Sequence, residues 1–150
     1  MSKVLLFSGL PGSGKTTMAK DMEADGWTRL SLDEKVFKMF GKDSQTPLSD
    51  REAKARQVLF DEALDLLQHN QKLILDWGFW KQVDRSEVKK LFMDKGYAAE
   101  IWYFTTDFET LVNRVENRGK GSNHIINPAM MEGFVAKYEA PGSPDKIIKT

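Results

Sequence analysis

The run Gly9-Leu10-Pro11-Gly12-Ser13-Gly14-Lys15-Thr16 constrains this chain more than any other feature. It satisfies G-x-x-x-x-G-K-[ST] at every fixed position. The apolar stretch Val4 to Phe7 precedes it, and a helix-like stretch from about Lys15 to Ala24 follows. Strand, glycine-rich turn and helix in that order are the context in which the pattern has a mechanism. Gly12 and Gly14 can take backbone conformations closed to residues with a side chain, so successive N–H groups can point at one anion. The helix start adds unpaired donors and the positive end of its dipole. The loop is therefore expected to cradle a nucleoside triphosphate with Gly9, Gly12, Ser13, Gly14, Lys15, Thr16 and Thr17. Lys15 would reach the β- and γ-phosphates, and the Thr16 hydroxyl would ligate Mg²⁺. Switches, motors and kinases share such a loop, so the fate of the γ-phosphate stays open at this point.

The remainder of the chain alternates strand-like and helix-like segments. Strands are expected over 3–8, 27–32, 72–76 and 99–104, with a very short fifth over 146–150. Helices are expected over 15–24 (closed by Gly26), 33–40 (stopped by Gly41) and 82–95 (ending at Gly96). A longer helix, capped by Ser49 or Asp50, places Val58, Leu59, Ala63, Leu66 and Leu67 on one stripe. Val88, Leu91 and Phe92 are expected to face inward, as are Phe108, Leu111, Val112 and Val115 on the next helix. Pro128 opens a last helix to about Ala136. Such alternation predicts an α/β fold, a parallel sheet between helix layers.

Composition sets the outer limits. At 150 residues the expectation is one domain over 1–150. Lys+Arg and Asp+Glu both number 22, and zero formal charge argues against bulk electrostatic attachment to a long nucleic acid or an anionic membrane. Without cysteine there is no disulfide framework, Cys-ligated zinc, iron–sulfur cluster or thiol catalysis. No apolar run approaches a membrane span and the start lacks a signal-peptide pattern, so a cytoplasmic protein is expected.

Several charged residues fall where the reaction would be decided. Asp33 follows the second strand, beside the phosphate loop, where a carboxylate either accepts a proton from an attacking hydroxyl or merely caps the next helix. Ser31 is the alternative cap. Asp76 ends the apolar run Leu73-Ile74-Leu75, the pattern of a carboxylate that holds Mg²⁺. Trp77, Phe79 and Trp80 follow it, either stacking on a ligand or packing under a neighbouring loop. Arg114 and Arg118 lie one turn apart, with Gly119 and Gly121 behind them as hinges. They are expected to belong to a lid over about 118–127 and to neutralise charge on the transferring phosphoryl group. Arg85 and, more weakly, Arg51 are candidates for binding the acceptor, while His124 within the lid reads as a solvent-facing side chain.

Taken together, Gly9 to Thr17, Ser31-Leu32-Asp33-Glu34, Leu75-Asp76 and Arg114-x-x-x-Arg118 resemble the small P-loop kinases. The closest likeness is to kinases of the AAA_33 type, relatives of the 5′-kinase domain of polynucleotide kinase, chloramphenicol phosphotransferase and the zeta toxins. Phe134-x-x-x-Tyr138-Glu139-x-Pro141 is similar to that group's C-terminal motif. The resemblance implies a three-layer fold with strand order 2-3-1-4-5, ATP as donor and Mg²⁺ as cofactor. It casts Asp33 as general base, Lys15 and Thr16 in the phosphate loop, and Arg114 and Arg118 in the lid.

The resulting expectation is a phosphotransferase that moves the γ-phosphate of ATP to a hydroxyl of a small molecule or nucleotide. Its catalytic residues would be Asp33, Lys15 and Arg118, its metal ligands Thr16 and Asp76. Arg85, Arg51, Trp77 and Trp80 would join Asp33 at the acceptor. Two rivals remain: a 5′-hydroxyl polynucleotide kinase, and a regulatory module that hydrolyses ATP to change shape.

Overall fold

The computed structural model describes residues 3–42, 45–119 and 126–150. Five strands carry the fold: β1 (Val4–Ser8), β2 (Trp27–Ser31), β3 (Lys72–Gly78), β4 (Ala99–Thr105) and β5 (Lys146–Lys149). Six helices connect them: α1 (Lys15–Glu23), α2 (Leu32–Phe40), α3 (Leu48–Gln68), α4 (Gln82–Asp94), α5 (Phe108–Gly119) and α6 (Pro128–Lys137). The sheet runs β2-β3-β1-β4-β5, with every pairing parallel. All five strands expected from the pattern form.

β1 sits at the centre, and Val4 to Ser8 are all buried because helices cover both faces of the sheet. Val4, Leu6, Leu73 and Leu75 face α3, where Ala55, Leu59, Ala63 and Leu67 form the buried stripe. Leu5, Phe7, Ile74 and Phe104 face Ala19 of α1. Each such Leu, Ile or Phe contributes about 1.5–3 kcal/mol relative to remaining exposed. A third cluster, Leu111, Val115 and Met131, joins α5 to α6 beside the phosphate loop.

Register aligns what the site needs. Ser31 of β2 pairs with Asp76 of β3, and Ser8 of β1 pairs with Gly78 of β3 and Tyr103 of β4. The carboxyl ends of the central strands therefore end at one level, the edge where ligands gather in open parallel sheets.

One open alternative resolves, two local expectations need correction, and one falls outside the described residues. Ser31, not Asp33, caps α2: its Oγ accepts from the Glu34 N–H at 3.3 Å, which leaves the Asp33 carboxylate exposed. α3 starts at Leu48 behind Pro47 with no side-chain cap, so Ser49 and Asp50 lie inside its first turn. Val58, Leu91 and Phe108 are exposed, because the helices rotate their stripes onto Ala55, Phe92, Leu111 and Val115. The expected lid over 118–127 falls largely on residues 120–125, which with Gly121 and His124 lie outside the described residues.

Candidate active site

The phosphate loop leaves β1 at Ser8 and enters α1 at Lys15. Gly12 (φ +86°) and Gly14 (φ +93°) occupy the left-handed conformations that their lack of a side chain permits. Space is a second constraint at Gly12, where a Cβ would stand 3.2 Å from the Leu111 carbonyl oxygen and from Val115 Cγ1. The Lys15 ammonium turns back onto the loop and donates to the Leu10 carbonyl at 3.1 Å. Burial holds its pKa below the ordinary lysine value; Asp76 and then Asp33 oppose that depression, while Arg118 adds to it. Lys15, Asp76, Asp33 and Arg118 thus share one electrostatic neighbourhood although they come from four different elements.

Asp76 is the hub of this neighbourhood. Its Oδ2 accepts from Thr16 Oγ1 at 2.9 Å and from Arg29 Nε at 2.9 Å. Arg29 also pairs through Nη1 with Glu34. Burial works against the Arg29 charge, but Asp76 and Glu34 outweigh it and hold its pKa above the ordinary value. Sequence reasoning missed Arg29, which stands inside a strand two residues before the Ser31 cap and carries no motif.

The Thr16–Asp76 pair is also the test of fit for Mg²⁺. A hydroxyl and a carboxylate in hydrogen-bond contact supply the hard oxygen donors this ion prefers, with its remaining positions left to water and phosphate. Among the described residues no group of three or more His, Asp or Glu side chains could hold a metal instead. The residues present fit magnesium.

Beyond Asp76 the chain makes an abrupt turn. Gly78 (φ +83°) and Phe79 (φ +46°) are both left-handed, and the Gly9 N–H donates to Gly78 O at 3.0 Å, locking the turn to the phosphate loop. The Phe79 carbonyl accepts from Ser8 Oγ at 2.9 Å and from Arg85 Nη1 at 2.7 Å. Arg85, expected at the acceptor, is instead completely buried, with Nη2 on Gln82 Oε1 at 2.9 Å and burial depressing its pKa. It braces this turn from beneath. Trp77, also expected at the acceptor, packs in the core beside Phe79 (ring centroids 5.4 Å apart) and donates Nε1–H to Leu30 O at 3.1 Å.

Trp80 remains at the rim, its ring 5.1 Å from that of Phe134. The segment after α6 closes on the same turn: Glu139 N–H donates to Trp80 O at 2.8 Å, and Glu139 Oε1 accepts from the Gln82 N–H at 3.0 Å. Tyr138 meets Ser8 Oγ at 2.7 Å. Phe134, Tyr138 and Glu139, noted above only as a resemblance motif, therefore tie the last third of the chain to the ends of β1 and β3.

The remaining candidates divide. Arg51 donates Nε–H to Thr46 O at 2.9 Å, at the start of α3. Glu52 beside it has its carboxyl pushed up by burial, with Arg56 opposing and Asp33 and Asp84 reinforcing. Arg118 is exposed, while Arg114 lies against the phosphate loop, Nη1 on Gly12 O at 3.0 Å.

A central strand, a glycine-rich loop, a hydroxyl–carboxylate pair and the 2-3-1-4-5 order define a P-loop NTPase fold of the kinase-like kind. More narrowly, the chain belongs to the AAA_33 family, described as an AAA domain, whose model matches residues 4–141. A UPF0200 protein of Pyrobaculum aerophilum is 32% identical over 129 residues, which cover 83% of this chain and 71% of that one. Among solved structures, the Pnkp1/Rnl/Hen1 RNA repair complex aligns at TM-score 0.77 and 23% identity over 91% of this chain. This chain spans only 43% of the length of that one. A gluconokinase from Sinorhizobium meliloti 1021 aligns at TM-score 0.64 and 16% identity, covering 97% of this chain and 80% of the other. No helix of the described residues is long and apolar enough to cross a membrane.

Proposed function

We propose that this chain is an ATP- and Mg²⁺-dependent phosphotransferase that moves the γ-phosphoryl group to a hydroxyl of a small molecule or nucleotide. The supporting observation is the glycine-rich loop that carries Lys15 beside the Thr16–Asp76 pair, whose hydroxyl and carboxylate meet at 2.9 Å, with Asp76, Asp33 and Arg118 all acting on the Lys15 charge. In this reading the loop amides and Lys15 bind the triphosphate, and Thr16 and Asp76 hold magnesium. The metal, when bound, neutralises charge between the phosphates. Asp33, exposed because Ser31 takes the capping role, accepts the proton of the acceptor hydroxyl as its oxygen attacks phosphorus in line. Arg118 offsets charge on the transferring group, and Trp80 with Arg51 borders the acceptor. The working unit is one domain over 1–150, acting in the cytoplasm.

Asp33→Asn tests the reading. Transfer to acceptor falls at least 100-fold, within the range expected for loss of a general base, while ATP affinity by calorimetry stays within about two-fold. Near-normal turnover would remove Asp33 from the mechanism. A second reading, a 5′-hydroxyl polynucleotide kinase, is favoured by the fold likeness to the Pnkp1-containing complex. It requires affinity for an oligonucleotide end that falls steeply with salt; the zero formal charge weighs against it.

A further inference from the structure

Two carbonyls of the phosphate loop are held from outside the loop. Arg114 Nη1 donates to Gly12 O at 3.0 Å, and Thr150 Oγ1 donates to Ser13 O at 3.0 Å. Thr150 is itself fixed by three further bonds. Its N–H donates to Thr105 O at 3.0 Å, its Oγ1 accepts from Arg114 Nη1 at 2.9 Å, and its main-chain oxygen accepts from Arg114 Nη2 at 3.1 Å. The donor count is consistent: the hydroxyl spends its single proton on Ser13 and offers a lone pair to the guanidinium. Thr150 also lies alongside the loop, its Cγ2 3.4 Å from where a Cβ at Gly14 would stand.

In a trans peptide the C=O and N–H point in opposite directions, and every described peptide here is trans. Holding Ser13 O outward therefore sends the Gly14 N–H to the other side of the loop. Holding Gly12 O does the same to the Ser13 N–H, which closes a turn on Leu10 O at 3.1 Å. We propose that Thr150 is a positioning residue for the triphosphate: with Arg114 it forms a bracket, running from the end of β5 to α5, that presets the loop amides before the anion arrives. Arg114, expected at ATP, acts through the loop backbone. The bracket matters because a preset loop does not have to be ordered at the moment of binding. The proposal rests on the reading of the loop as a triphosphate site and is independent of the acceptor.

The test compares Thr150→Val, which keeps the branched shape against Gly14 but removes the hydroxyl, with Thr150→Ser, which keeps the hydroxyl. Amide hydrogen exchange over residues 9–16 is followed in the ligand-free chain, and Mg·ATP affinity is measured by calorimetry. Thr150→Val should exchange faster in this segment and bind Mg·ATP about 5- to 20-fold more weakly, as loss of a hydrogen-bonded anchor implies. Thr150→Ser should restore both. Adding Arg114→Gln to Thr150→Val should cost less than the two single effects combined, since the two side chains act as one unit. Parent-like exchange and affinity in Thr150→Val, or failure of Thr150→Ser to restore them, overturns the bracket. If the parent chain binds no Mg·ATP, the triphosphate reading falls, and the exchange comparison still decides whether the bracket orders the loop. Should Thr150→Val fail to fold, Arg114→Gln provides the same exchange comparison, and unchanged exchange there overturns the proposal.

Discussion

Tyr138→Phe isolates one hydrogen bond whose direction the structure fixes. Ser8 Oγ donates its only proton to Phe79 O at 2.9 Å, so the 2.7 Å contact with Tyr138 is donated by the phenol. Burial raises the Tyr138 pKa from 10.0 to about 12, with Tyr103 reinforcing the rise and Arg85 opposing it. A bond from Ser8 to the tyrosinate would favour ionisation, but its proton is already committed to Phe79. Near pH 8 the substitution removes one neutral hydrogen bond and leaves Ser8 on Phe79. The cost is about 0.5–1.5 kcal/mol, or roughly 2–4 °C in Tm per kcal/mol for a chain of this size.

Alkaline pH adds a second signature. Between pH 10 and 12 the unfolded tyrosine releases its proton and the folded one keeps it, so the stabilisation complete below pH 10 is lost as pH rises through that window. Two pKa units set a ceiling of roughly 3 kcal/mol. The ring is part-exposed, and solvent screening reduces that to about 1–2 kcal/mol. Urea denaturation of parent and Tyr138→Phe at a series of pH values from 8 to 11.5 reads both effects, and the difference between the two proteins cancels the lysines and the other tyrosines. The phenylalanine variant should start less stable and lose less with pH, so the curves converge. Parallel curves, or a variant as stable as the parent at pH 8, would refute the assignment of donor and proton.

Lys15→Met should weaken Mg·ATP binding at least 10-fold by calorimetry yet leave urea stability unchanged or higher by up to about 1 kcal/mol, because a half-buried ammonium whose described bond is to one carbonyl is costly to keep charged. A clear loss of stability would contradict that accounting. Ser31→Ala should cost about 0.5–1 kcal/mol, the low end for an N-cap given its 3.3 Å bond, and ATP affinity should not change. A cost above about 2 kcal/mol would mean that Ser31 does more than cap α2.

The phosphate loop and the five strands were legible because each rests on a local pattern: fixed glycines in one case, short apolar runs in the other. Asp76 stood out for the same reason, closing an apolar run, although β3 continues past it to Gly78. Side chains that act across the fold were not. Arg29 looks like any charged residue on a half-buried strand until β2 pairs with β3 and brings it to Asp76. Arg85 carried the opposite error: a cation after a site strand suggests a ligand, but the first turn of α4 folds it under Phe79. Trp77 was poised between cleft and core, and strand alternation alone does not say which side of β3 has room for an indole. Val58, Leu91 and Phe108 matched a helical stripe, yet periodicity fixes the width of an apolar face and not its rotation. Thr150 touches the phosphate loop only through the order of the sheet, which places β5 beside β4.

The paired turn at Gly78 and Phe79 has a consequence for how this lineage can vary. Glycine or asparagine at position 79 would suit the backbone better, but either would empty the space against Trp77 that the ring fills. Valine or isoleucine would fill part of that space and suit the backbone worse still. Each of these four steps is thus downhill in one respect, so the position is held between two incompatible demands. Substitutions should accumulate there only together with a compensating change at Trp77 or Arg85, and Asp76, three positions upstream, inherits that rigidity.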